Sequence, residues 1–137
     1  MRSWMIGLLI MLFGACQTSN RMLAVKDKNL IDIKQDKDEY ELLVLDPGFE
    51  TWFQATWGPA KDRSLAYYRS WNQRYVIDWN YKATHPHTFD LFDNTIQYDP
   101  NIDYGLPVER KLFYYFRWVE TQLNIPILDS PPPGGIL

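Results

Sequence analysis

Oxygen-bearing side chains alternate along the segment DPNIDYG. Asp99, Asn101 and Asp103 match the first, third and fifth positions of a calcium-binding loop, where carboxylate and amide oxygens coordinate the ion. The sixth position is Tyr104 rather than the glycine that the sharp turn requires, and the twelfth is Arg110 rather than a bidentate glutamate. Two interpretations stay open: a weak calcium site, and an Asx-rich turn whose side chains bond nearby backbone N–H groups.

Two histidines lie close together upstream of this segment. His85 and His87, with Asp90 and Asp93 just after them, carry nitrogen and oxygen groups of the kind that bind zinc. Their spacing of two residues is not the spacing of four that directs two histidines of one helix at the same ion, and the one cysteine of the chain lies far upstream. We therefore expect two surface histidines in a loop.

Four carboxylates are candidates for general acid–base chemistry: Glu50, Asp78, Asp90 and Asp93. No pattern in the sequence brings two of them together. The chain also has no Gly-x-Ser-x-Gly motif and no phosphate-binding glycine loop. We expect no enzymatic activity and no cofactor.

Aromatic residues make up 16% of the chain. Most should form the core, because a domain this small buries only about 60–65% of its unfolded surface and needs large apolar side chains. The alternative is a carbohydrate-stacking surface formed by Trp52, Trp57 or Tyr81. The net charge of −3 and the lack of a basic cluster argue against nucleic acid as a partner.

The first residues have the three parts of an export signal. Arg2 supplies the positive charge, residues 5–13 form a short apolar run, and Gly14 and Ala15 precede Cys16. This segment resembles a bacterial lipoprotein signal. The resemblance implies cleavage before Cys16, lipidation of its sulfur and attachment to the membrane. The alternative is an ordinary secretory signal with a spare thiol.

Composition divides the rest of the chain into a tether, a domain and a tail. Residues 16–38 are of mixed charge with few aromatics, and we assign them to the lipidated cysteine and a flexible tether. Residues 39–128 form the predicted globular domain, and residues 129–137, rich in proline and glycine, a disordered tail. The neutral residues after Cys16 favour a domain that faces the periplasm.

The longest predicted element of the domain is a helix over residues 64–82. Its apolar residues recur at helical spacing: Leu65, Tyr68, Trp71, Tyr75, Val76 and Trp79. Ser64 precedes the helix, and its hydroxyl can accept a hydrogen bond from a free backbone N–H of the first turn. We expect this aromatic helix to be central to the domain.

Two more helices and a small sheet complete the prediction. A short helix covers residues 49–57, and a C-terminal helix covers residues 107–123, with Glu109 near its positive end and Asn124 as its C-cap. The clearest strand is residues 40–45, and residues 30–33, 95–98 and 125–128 are weaker candidates. The expected fold is a small, mostly helical α+β domain with a two- or three-stranded sheet.

Three motifs together resemble a family of short, uncharacterised lipoproteins of the Bacteroidetes type. They are DPGFETWF (46–53), YYRSWNQRYVIDWNY (67–81), and YDPNIDYGL (98–106) followed by LFYYF (112–116). The resemblance assigns no activity and no catalytic residue, and this chain departs from the family in its PPPGG tail.

From these observations we expect a lipoprotein held at the outer membrane by lipid on Cys16 and facing the periplasm. Its role would be that of a non-enzymatic interaction or structural module with an envelope protein as partner. The alternative is a glycan- or peptidoglycan-binding module that uses exposed aromatics.

Overall fold

The computed structural model describes residues 30–133 of the 137-residue chain. Along this part the elements are β1 (Ile31–Asp36), β2 (Glu39–Val44), α1 (Phe49–Thr56), α2 (Leu65–Ala83) and α3 (Leu106–Thr121). Single turns of 3-10 helix cover Pro59–Lys61 and Asp90–Phe92. The predicted small, mostly helical α+β fold is confirmed. No helix in this part of the chain has the length and apolar character needed to span a membrane.

The two strands form one antiparallel hairpin, with Ile31 opposite Val44 and Asp36 opposite Glu39. The predicted strand over residues 40–45 is therefore present, but β1 lies within the segment that we had assigned to the tether. The weaker strand candidate at residues 30–33 is present as the first part of β1, in which Ile31 and Ile33 turn inward while the charged residues between and after them are exposed. The folded domain begins at β1 and not at residue 39. Within the described residues, 95–98 and 125–128 form no strand.

α2 begins and ends within a residue of its predicted bounds. Ser64 caps it as expected, because its Oγ accepts a hydrogen bond from the N–H of Tyr67 at 3.1 Å. Tyr68, Tyr75, Val76 and Trp79 are buried, whereas Trp71 is half-buried under the guanidinium of Arg74. One polar residue shares the buried stripe: Asn72, which has no exposed surface.

α3 is the most enclosed element. Every residue from Leu112 to Val119 is buried, since α2, α1 and β2 all pack against this helix. Gly105, with φ of +82°, precedes the helix, and Pro107 lies in its first turn. The helix ends at Thr121 with Gln122 as its C-cap, two residues before the predicted cap Asn124, which instead adopts a positive φ.

The segment after α3 returns along the two long helices. The ammonium of Lys82 donates to the carbonyl of Ile127 at 2.6 Å, and the N–H of Leu128 donates to Glu120 Oε1 at 3.1 Å. Ile127 and Pro132 are buried. Within the predicted disordered tail, Pro132 therefore packs on the domain whereas residues 129–131 are exposed, and residues 134–137 lie outside the described part. The predictions for residues 1–29, Cys16 among them, also fall outside it.

Candidate functional site

A buried polar cluster joins α2, α3 and the loop between them. We call it the Glu109 cluster, and its members are Arg69, Asn72, Tyr98 and Glu109. Asn72 Nδ2 donates to Glu109 Oε2 at 2.7 Å and to the Glu109 carbonyl at 2.8 Å. The Tyr98 hydroxyl donates to Glu109 Oε1 at 3.0 Å, and Arg69 Nε lies 3.9 Å from the same oxygen. The cluster fixes the loop to both helices.

Burial dominates the electrostatics of this cluster. It raises the pKa of Glu109, although the hydrogen bonds from Asn72 and Tyr98 act in the opposite direction. Burial and the nearby Glu109 carboxylate also raise the pKa of Tyr98, so its hydroxyl stays protonated and donates. Asn72 Oδ1 is buried without a hydrogen-bond partner among the described residues. Glu109 itself has no exposed surface, so a substrate would have to displace neighbouring side chains to reach it.

A groove of about 410 Å³ lies beside the Glu109 cluster and shares Tyr98 with it. We call it the hairpin groove, because one side is formed by the hairpin and the other by the loop that precedes α3. Its lining residues are Ile33, Gln35, Tyr40, Gln97, Tyr98, Asp99, Ile102 and Tyr104. The ring of Tyr104 packs edge-on against Tyr40, with centroids 5.0 Å apart, and lies 5.2 Å from Tyr98.

The predicted calcium ligands take the Asx-turn arrangement. Asp99 Oδ1 accepts hydrogen bonds from the backbone N–H and the side-chain amide of Asn101, at 2.8 and 3.0 Å. Asp103 Oδ1 accepts from the N–H of Gly105 at 3.1 Å. Residues 30–133 contain no group of three or more His, Cys, Asp or Glu side chains that could hold a metal ion. The calcium interpretation stays a prediction.

The two histidines are exposed, and each has local partners. His87 Nε2 lies 3.3 Å from Asp93 Oδ1, and the carbonyl of His85 together with that carboxylate raises the pKa of His87. The ring of His85 stacks on Tyr81, with centroids 4.0 Å apart.

The three rings considered as an alternative sugar-stacking surface have separate partners. Trp52 packs on Phe49 and Tyr114, whereas Trp57 stacks on Phe53 and carries the Arg110 guanidinium over its face. Tyr81 is 62% exposed and stacks on His85, at the far end of α2. The rings that do meet at a groove are Tyr40, Tyr98 and Tyr104, which the sequence analysis did not single out.

Two of the four carboxylates considered for catalysis belong to separate ion pairs. Glu50 pairs with Lys111 at 2.9 Å, and Asp93 pairs with His87. Two other acids belong to ion pairs that the sequence analysis missed. Arg110 binds Asp62 through two hydrogen bonds and lowers the pKa of that carboxyl, and Arg117 pairs with Glu120 at 2.9 Å.

A signal for the Glu109 cluster was present in the sequence. Glu109 lies three and seven residues before Leu112 and Phe116, and Asn72 lies four and three residues from Tyr68 and Tyr75. Both polar residues therefore fall on apolar stripes, where a buried pair with matching donor and acceptor is the expected solution. Spacing could not reveal that the two are partners, because 37 residues separate them.

The fold and the site define a small α+β domain with a buried carboxylate at the junction of its two long helices. The chain belongs to a family of unknown function (DUF6146), whose profile matches residues 4–129. The expected membership in an uncharacterised family is confirmed to that extent. No curated protein and no solved structure matches the chain.

Proposed function

We propose that this protein is an envelope lipoprotein of the Bacteroidetes type, held at the outer membrane by lipid on Cys16 and facing the periplasm. The observation that carries the proposal is the order of residues 1–16: a positive charge, a short apolar run, and Gly-Ala directly before Cys16. Two or more acyl chains on that cysteine would hold the protein firmly, whereas one chain would bind reversibly.

The domain acts as a non-enzymatic interaction or structural module. Its acidic side chains support this role, because several are engaged in contacts that hold the fold. Glu109 ties the loop to both helices, Asp62 is held by Arg110, and Glu120 binds Arg117 and the segment after α3.

The proposed lipid anchor is tested by replacing Cys16, the residue that would carry the lipid. In cells of a bacterium with two membranes, the wild-type protein should incorporate labelled palmitate and sediment with the outer membrane. Cys16→Ser should lose the label and appear in the soluble periplasmic fraction, and Ser19→Ala should behave as wild type. A wild-type protein without label would overturn the proposal.

The interaction role is tested by crosslinking in intact cells. An envelope protein should be recovered with the full chain and lost when residues 30–133 are deleted, while the anchor itself is kept. A hydrolytic activity of the purified protein that disappears in a carboxylate variant would contradict the non-enzymatic role.

A glycan- or peptidoglycan-binding module is the second candidate function. Tyr81 alone keeps most of its surface exposed among the three rings first considered. The hairpin groove, which is lined by three tyrosines, favours this candidate more strongly than the exposure of Tyr81 does.

A further inference from the structure

The hairpin groove combines a rigid aromatic surface with free polar groups at its rim. Its volume of about 410 Å³ lies in the range of small-molecule sites, roughly 300–1,000 Å³. Tyr104, which is 7% exposed, lies beneath the two half-buried rings of Tyr40 and Tyr98.

Two of the three tyrosine hydroxyls already form hydrogen bonds within the protein. The Tyr98 hydroxyl donates to Glu109, and the Tyr104 hydroxyl accepts from the N–H of Asp99 at 2.8 Å. These bonds hold the rings in place, so a ligand would lose little free energy in ordering them. The rings of Tyr98 and Tyr104 consequently offer apolar surface to the groove, and polar contacts come from other residues.

The polar contacts come from two glutamines on opposite sides of the groove. Gln35 lies directly across the hairpin from Tyr40, and Gln97 belongs to the loop. Each has one side-chain N–H in a local hydrogen bond, to the Lys37 carbonyl and to Thr95 Oγ1 respectively. Each amide still has a second N–H donor and its oxygen acceptor for a ligand.

The charge of the lining indicates a neutral ligand. Among the described residues, no Lys or Arg lines the groove, so a phosphate or carboxylate would find no counter-charge from residues 30–133. The one charged residue of this described lining, Asp99, is exposed, and Asp99 Oδ1 already accepts two hydrogen bonds from Asn101. Amides on both sides and ring surfaces between them suit a ligand that has hydroxyls on its edges and C–H groups on its faces.

We propose that the hairpin groove binds a neutral sugar unit of an oligosaccharide, with Tyr40 and Tyr98 contacting its faces and Gln35 and Gln97 bonding its hydroxyls. This inference rests on the second candidate function and gives it a site; it does not depend on the lipid anchor.

Isoleucine methyl groups provide the test, because Ile33 and Ile102 line the groove, whereas Ile77 and Ile127 lie elsewhere. The full chain is labelled at isoleucine methyls and kept in a zwitterionic detergent without a sugar headgroup. The N-acetylglucosamine trimer, cellotriose and maltotriose are titrated separately to about 20 mM, a range that detects millimolar dissociation constants. At least one sugar should shift the Ile33 and Ile102 methyl signals to saturation and leave those of Ile77 and Ile127 in place.

Variants connect binding to the named side chains. The double variant Gln35→Ala/Gln97→Ala should weaken the affinity by about tenfold or more, because it removes hydrogen bonds from both sides of the ligand. Gln122→Ala is the matched control, since Gln122 is an exposed glutamine at the end of α3, and it should bind as wild type. Unmoved Ile127 signals in the ligand-free variants show that the fold is kept.

Three outcomes would overturn the inference. They are no methyl shift with any of the three sugars, equal weakening in the double variant and in Gln122→Ala, and shifts produced by phosphocholine but by no neutral sugar. Palmitate labelling and fractionation measure the anchor separately, so a failure of sugar binding is distinguishable from a failure of the anchor.

Discussion

Glu109 brings a carboxylate into the interior at the first turn of α3. Burial raises its pKa above the ordinary value of 4.5, so the folded protein holds this proton more tightly than the unfolded chain does. The stability that this group contributes is therefore fully present below about pH 4.5 and is lost as the pH rises through the raised pKa. This change of stability with pH is opposite in direction to that of a carboxylate in an ion pair, such as Asp62 beside Arg110, whose pKa is lowered.

We predict that Glu109→Gln removes this pH dependence, because glutamine keeps the shape of the side chain and one of its two acceptor oxygens without the ionisable proton. The free energy of unfolding, measured by urea denaturation from pH 4 to pH 8, should fall with rising pH in the wild type relative to the variant. The relative change should be about 1.4 kcal/mol for each unit by which the pKa is raised. The exposed Glu41→Gln is the control, and pH profiles of wild type and Glu109→Gln that stay parallel would contradict the prediction.

The site residues could be predicted only where their role is local. Asp99 and Asp103 bond backbone N–H groups two residues away, and the Asx-turn interpretation anticipated such bonds. Glu109 was expected to interact with the helix dipole, and its partners Asn72 and Tyr98 were not foreseen. Asn72 lies on another helix, and no short-range pattern shows which faces of two helices will meet.

At the scale of elements, helices were easier to predict than strands. The periodicity of α2 extends over five turns, and a serine marks its start, so both bounds were predicted closely. β1 has only two inward-facing apolar residues among charged ones, and its pairing depends on a partner strand eight residues ahead on average. Residues 125–128 had a strand-like composition, but their backbone bonds to Lys82 and Glu120 instead.

The cap of α2 gives a prediction at this scale. Ser64→Ala should lower the free energy of unfolding by about 1 kcal/mol, because the N–H of Tyr67 loses its side-chain acceptor. Thermal or urea unfolding measures the change. Ser70→Ala is the matched control, because Ser70 is exposed in the middle of the same helix, where alanine is the better helix former. A loss as large for Ser70→Ala would show that the cap is not responsible.

At the scale of the whole molecule, the aromatic residues form one continuous core. Phe49 and Tyr115 meet edge-on, Tyr75 stacks on Phe116, and Trp79 packs on Phe92. Each of these six rings has 2% or less of its surface exposed. The expectation that most aromatics serve the core is confirmed for them, and large rings let a domain without a disulfide bury enough apolar area.

The revised start of the domain gives a prediction for the whole chain. Deleting residues 17–29, which belong to the predicted tether, should leave the free energy of unfolding unchanged. Deleting residues 17–38 should lower it by more than about 2 kcal/mol, because the burial of Ile31 and the pairing with β2 are lost. Urea unfolding of the two shortened chains makes the comparison. Equal stability of the two would place the start of the domain at residue 39 after all.

The hairpin has a mechanical consequence. A force applied through the residues before Leu30 acts on β1 at the open end of the hairpin, where Ile31 is paired with Val44. Load applied there breaks the strand-to-strand bonds one after another, so the hairpin yields at a lower force than a sheet whose bonds are sheared together. Ile33 and Gln35 lie on this strand and form one side of the hairpin groove. Tension applied through the proposed lipid anchor would open that groove before it disturbs the helices.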